Sequence, residues 1–87
     1  MKIEMVDQVG DHRTGTIIAS LDQIEAVLGP ANCNDDPDKV TYSWGFKVDG
    51  VRCGVWDYYS SYKNTRWSTF GPIEALEKVF PGMVIRD

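Results

Sequence analysis

Residues 40–59 read VTYSWGFKVDGVRCGVWDYY, and this stretch restricts the fold more than any other. Asp49-Gly50 is a two-residue turn signal of the primed type, whose backbone twist matches that of the strands it joins. A reversal there sets Val48 opposite Val51, Phe46 opposite Cys53, Trp44 opposite Val55, Tyr42 opposite Asp57 and Val40 opposite Tyr59. That face is apolar for most of its length, as the covered side of a half-buried hairpin must be. The other face sets Lys47 against Arg52, Gly45 against Gly54, Ser43 against Trp56 and Thr41 against Tyr58. A mid-strand glycine weakens a sheet and marks a bulge or a close approach, so the Gly45/Gly54 pair suggests a gap on the outer face, flanked by Trp56, Lys47 and Arg52.

The remaining chain supplies partners for this hairpin. Thr14 to Ala19, TGTIIA, has the branched side chains of a short strand. Ser20 and Gln23 form a capping box that starts a helix, Leu21, Ile24, Val27 and Leu28 line its apolar stripe, and Gly29-Pro30 ends it. Arg66 to Phe70 reads as a further strand. Pro72 fits the first position of a second helix, whose stripe is Ile73, Leu76, Val79 and Phe80, with Glu74 and Lys78 as an i,i+4 pair and Pro81-Gly82 as its stop. Residues 1–12 hold a weak strand signal in Ile3 and Met5, and MVIRD at the end is a tail or a short edge strand. At 87 residues the chain is expected to form a single domain over 1–87, of α+β class. The expected architecture is an antiparallel sheet of about four strands with two helices packed on one face.

Charge and motif content narrow the chemistry. Thirteen acidic against nine basic residues give a formal charge of −4, which argues against duplex nucleic acid as a partner. Cys33 and Cys53 are too few and too isolated for a disulfide scaffold, and they read as free thiols of a reducing cytosol. The start MKIEMVDQVGDHR has no apolar core of a leader, and no apolar run approaches a membrane span. Asn32, Asn34 and Asp36 alternate as calcium ligands do, but Pro37 stands where such a loop needs glycine, and no closing glutamate follows. His12 is the only histidine and lies in a loop beside Asp11 and Arg13. Zinc spacing and phosphate-binding glycine loops are both absent from the sequence. The expectation is a protein that is not an enzyme and carries no cofactor or metal.

Recognition has better support. Trp56 to Trp67, WDYYSSYKNTRW, mixes large rigid rings with adaptable hydrogen-bonding groups and arginine, the composition of a good contact surface. Tyr59 and Trp67 are assigned to the core. Trp56, Tyr58, Tyr62, Lys47, Arg52, Arg66, Gly45 and Gly54 are the candidate partner-binding residues.

Three stretches in order, TIIASLDQIEAVLGP, KVTYSWGFKVDGVRCGVWDY and RWSTFGPIEAL, span most of residues 16–80. They resemble small bacteriophage-encoded accessory proteins that combine a helix ending in Gly-Pro, a tryptophan-bearing hairpin, a strand ending in Asp-Tyr and a W-S-x-x-G segment. The resemblance implies an origin, that of a small accessory protein acting in the cytoplasm of an infected bacterium, and no activity or functional residue is carried over from it. Phage accessory proteins of this size often bind and block host factors, defence systems among them, and by that analogy of class the chain is expected to do the same. Besides a purely structural domain, two alternatives stay open. One is a protein, oligomeric or not, that sequesters a small ligand such as a nucleotide, with Lys47, Arg52 or Arg66 meeting its phosphates. The other is a binder of single-stranded nucleic acid through stacked rings.

Overall fold

The computed structural model describes residues 2–6, 12–32, 42–57 and 65–86. In chain order the elements are β1 (Ile3–Val6), β2 (Gly15–Ile18), α1 (Leu21–Leu28), β3 (Ser43–Val48), β4 (Val51–Trp56), β5 (Arg66–Phe70), α2 (Ile73–Val79) and β6 (Val84–Arg86). The six strands form one sheet in the order β1-β3-β4-β5-β2-β6, every neighbouring pair antiparallel. The α+β class with two helices therefore stands, but the sheet has six strands and not about four. The two additional strands are the edges, β1 and β6.

The central hairpin has the register that its turn dictates. Ser43 pairs with Trp56, Trp44 with Val55, Gly45 with Gly54, Phe46 with Cys53, Lys47 with Arg52 and Val48 with Val51. Asp49 and Gly50 have φ of 51° and 85°, the two positive values that a type I′ turn requires. Asp49 also holds the edge strand: its N–H donates to the Lys2 carbonyl at 2.8 Å, and its Oδ1 accepts the Lys2 N–H at 2.7 Å.

One face of the sheet carries the core. Trp44, Phe46, Val48, Cys53, Val55, Ile17 and Trp67 bury their side chains there against Ile24 and Leu28 of α1 and Ala75, Leu76 and Val79 of α2. Tyr42, Trp44 and Trp67 form an aromatic cluster, with centroids 5.3 Å apart for the two tryptophans in an edge-to-face arrangement. Their indole N–H groups have partners at the two ends of α1. Trp67 Nε1 donates to the Ala19 carbonyl just before the helix, and Trp44 Nε1 to the Gly29 carbonyl just after it, both at 2.8 Å. The capping box is present, with Gln23 N–H on Ser20 Oγ and Ser20 N–H on Gln23 Oε1.

Three local expectations change. Val27 is 41% exposed, so the buried side of α1 is narrower than its apolar stripe. Pro72 caps α2 from outside, at φ −61° and ψ 137°, rather than opening its first turn. The Glu74–Lys78 pair is not formed: Glu74 meets Arg86 of β6 at 3.3 Å, and Lys78 meets Asp49 of the hairpin turn at 4.0 Å. Both long side chains reach partners on other elements instead of along the helix.

Gly71 shows why the entry to α2 is spelled as it is. Its φ is +106°, and a Cβ there would stand 2.6 Å from the Arg52 carbonyl oxygen and 2.9 Å from Cys53 Sγ. Only glycine lets the chain turn this closely over β4 and set α2 on the same face as α1.

Candidate functional site

With both helices on one side, the alternation of the strands turns the other residues to the opposite, outer face. β4 contributes Arg52, Gly54 and Trp56, and β5 contributes Arg66, Ser68 and Phe70. These are the two central strands. Gly54 pairs with Phe70 and Trp56 with Ser68. Phe70 is therefore the diagonal neighbour of both Arg52 and Trp56, and Trp56 is the diagonal neighbour of Arg66. Diagonal neighbours lie about 7–8 Å apart, within reach of long side chains and rings. Small residues, Gly54 and Ser68, occupy the positions directly opposite each ring. The result is two aromatic rings bracketed by two guanidinium groups.

The flanking strands extend this surface. Lys47 stands beside Arg52 on β3, and Glu4 stands beside Lys47 on β1. Two like charges directly opposite each other disfavour the sheet, and Glu4 on the far side of Lys47 offsets part of that cost. Toward the other edge Ile18 lies next to Arg66, Thr16 next to Ser68, and Ile85 next to Thr16. Ile18 and Ile85 are 37% and 55% exposed.

The residues expected to bind a partner divide into three groups. Trp56 and Lys47 are half-buried and Arg52 and Arg66 exposed, all on the outer face. Tyr58 and Tyr62 lie outside the described residues, as does Tyr59, which the sequence assigned to the core. Gly45 and Gly54 are buried, so the expected open gap between them is not there. They sit in a cross-strand row between Val6 and Phe70. The Asn32 carboxamide also binds at this point: Oδ1 accepts the Gly45 N–H at 3.1 Å, while Nδ2 donates to the carbonyls of Gly45 and Val6 at 3.1 and 2.6 Å. The Asn32 carboxamide thus satisfies main-chain groups of β1 and β3 at this point. Beside it the Ser43 hydroxyl is buried with no hydrogen-bond partner among the described residues.

Sequence reasoning missed Phe70, Ile18 and Ile85 as parts of this face. The signal for Phe70 was available, because Trp67 pointing inward turns 66, 68 and 70 outward in the same strand. Ile85 had no such signal, since MVIRD was left open as a tail or a short edge strand.

No protein-family model, curated protein or solved structure matches the chain. Its chemistry rests on the geometry alone.

Among the described residues, the groups that could support catalysis are dispersed. Cys53 is buried under α2, and burial pushes its thiol up to about 11, so it is not a thiolate near neutral pH. Asp57 is buried at the end of β4 and accepts the Tyr42 backbone N–H, which ties the open end of the hairpin together. His12 is exposed and lines a cleft of about 350 Å³ with Arg13, Thr14, Pro72, Glu74 and Arg86. Glu74 there is held below the usual carboxylate range, first by its own backbone N–H and then by Arg86, which keeps it an anion and not a proton donor. Among the described residues no three His, Cys, Asp or Glu side chains converge as metal ligands, and no helix is long and apolar enough to cross a membrane.

Proposed function

We propose that this protein is a non-enzymatic binding module that docks the outer face of its sheet onto a host protein and blocks it. The observation that carries the reading is the division of labour between the two faces. Both helices and the aromatic core lie on one side, while Trp56 and Phe70, bracketed by Arg52 and Arg66, lie on the other. Aromatic and arginine side chains together are the residues that most often anchor protein interfaces. Trp44 and Trp67 are fully buried in the core, whereas Trp56 is half-buried on the outer face.

The resemblance to bacteriophage accessory proteins supplies the setting: a bacterial cytoplasm and a host factor, a defence protein among the candidates.

The test is native mass spectrometry of the protein recovered from a lysate of its bacterial host. A complex with a large partner, lost in Trp56→Ala while the variant keeps the charge-state pattern of a folded protein, is the expected result. A mass increase of a few hundred daltons in the wild type would replace the docking reading with ligand sequestration. Equal recovery of the partner by both forms would remove the outer face from the account.

A further inference from the structure

Among the described residues, the two edge strands of the sheet, β1 and β6, each pair on one side only. On β1 the hydrogen bond from the Asp49 N–H to the Lys2 carbonyl sets the alternation. Lys2 and Glu4 direct their main-chain groups toward β3, and Ile3 directs its N–H and C=O away from the sheet. Neither of those Ile3 groups has a hydrogen-bond partner among the described residues. Lys2 and Glu4, two residues apart, turn their side chains to the outer face. Both are exposed, and neither side chain has an ion-pair partner among the described residues. Met5, on the helix side of the same strand, is 38% exposed.

We infer that β1 is a pairing edge for a second copy of this chain, which adds its own β1 antiparallel about a twofold axis at Ile3. In this register Ile3 exchanges both main-chain hydrogen bonds with Ile3 of the second copy. Lys2 stands directly opposite Glu4 of the second copy, and Glu4 opposite its Lys2, so symmetry forms two ion pairs at once. Charges then alternate in a row along the outer face: Lys47, Glu4, the second copy's Lys2 and its Asp49. On the helix side Met5 becomes the diagonal neighbour of the second copy's Ile3, which covers part of its exposed surface. Charges on an edge strand ordinarily discourage pairing, but this spacing turns them into partners. A register centred on Glu4 would set Glu4 against itself, and like charges directly opposite disfavour a sheet. Exposed ion pairs add little affinity, so their part is to fix the register. The three residues of β6 bring no such pair.

This pairing goes beyond the docking reading and does not depend on it. Its axis is perpendicular to the sheet, so the outer faces of both copies lie on the same side and the dimer presents two Trp56 surfaces together. The test is sedimentation equilibrium of the full chain over a range of concentrations, for the wild type, Lys2→Glu, Glu4→Lys and a one-to-one mixture of the two variants. The wild type should pass from the monomer mass toward twice that mass as concentration rises. Each variant alone sets like charges across the axis, and its self-association should weaken by at least about tenfold. The mixture should associate again, because the positive edge of Glu4→Lys meets the negative edge of Lys2→Glu. In the wild type, amide hydrogen exchange at Ile3 should slow as concentration rises, whereas exchange at Glu4, whose N–H is directed at β3, should not change.

A wild type that stays monomeric at every concentration, or Ile3 exchange that ignores concentration, would overturn the proposal. Self-association indifferent to both charge reversals, or abolished by Ile85→Lys instead, would place the contact elsewhere and overturn it too. Variants that stay apart when mixed would reject the register centred on Ile3, and the proposal with it. None of these results touches the docking reading, which is tested through Trp56.

Discussion

Trp44 and Trp67 show how single atoms decide the fold of a small domain. Each buries its ring in the core, and each indole N–H finds a backbone carbonyl at one end of α1. Those carbonyls lie at the helix margins, where the helix itself supplies no partner, so one bond satisfies two groups. Replacing Trp44 by alanine removes the ring and leaves the Gly29 carbonyl without its donor. The expected loss is about 3–5 kcal/mol, measured by denaturant unfolding. Trp56→Ala should cost no more than about 1 kcal/mol by the same measurement, since its ring is only half-buried. Cys53 adds a pH signature. Its thiol ionises at about 11 in the folded protein, against 9.0 for an unperturbed group, so the unfolded chain releases its proton first as pH rises. The stability tied to the neutral thiol is therefore complete below pH 9 and is lost progressively up to about 11. Across that window the wild type should lose on the order of 2 kcal/mol more than Cys53→Ala, as read by unfolding at a series of pH values. Parallel pH profiles for the two forms would show that burial does not hold the proton.

At the scale of elements, what could be read from the chain depended on how strongly each signal was pinned. From Ser43–Trp56 to Val48–Val51 the hairpin was legible pair by pair, because Asp49-Gly50 fixes the register and a slip by one residue would turn Trp44 and Phe46 out of the core, while the expected pairs Val40–Tyr59 and Thr41–Tyr58 lie outside the described residues. Helix α1 was legible at both ends because Ser20, Gln23 and Gly29 have conformational jobs that few other residues do. The edges were not. β1 and β6 are four and three residues long, each pairs on one side only, and neither shows a clean alternation. Their strand character comes from the neighbours they meet, Val48 and Lys47 for β1 and Ile17 and Gly15 for β6. The Glu74–Lys78 pair failed for the same kind of reason: a local spacing rule competes with tertiary partners, here Arg86 and Asp49, and lost. Gly71 carries a sharper test. Gly71→Ala forces a Cβ against Arg52 O and Cys53 Sγ at a positive φ, and should destabilise the protein by about 2–4 kcal/mol. A neutral outcome in thermal unfolding would mean that α2 does not sit against β4 as described.

For the whole molecule, the sheet does two jobs with its two faces. One is covered by both helices and holds the fold. The other gathers two rings, two arginines and a lysine on three adjacent strands. The candidate site was half legible. Trp56, Lys47, Arg52 and Arg66 follow from hairpin parity and from one further strand, whereas the contribution of Phe70 needed the β4–β5 register and that of Ile85 needed the sixth strand. Gly45 and Gly54 are buried rather than open to solvent, and no spacing in the chain announces that burial or the bonds that Asn32 makes to the main chain at Gly45. Acrylamide quenching of the protein alone, wild type against Trp56→Phe, tests this two-faced arrangement most directly. Trp44 and Trp67 are sealed beneath the helices, so the quenchable part of the emission should nearly vanish when Trp56 is replaced. Quenching that persists undiminished in Trp56→Phe would place a different tryptophan in solvent, and would contradict the assignment of the two faces.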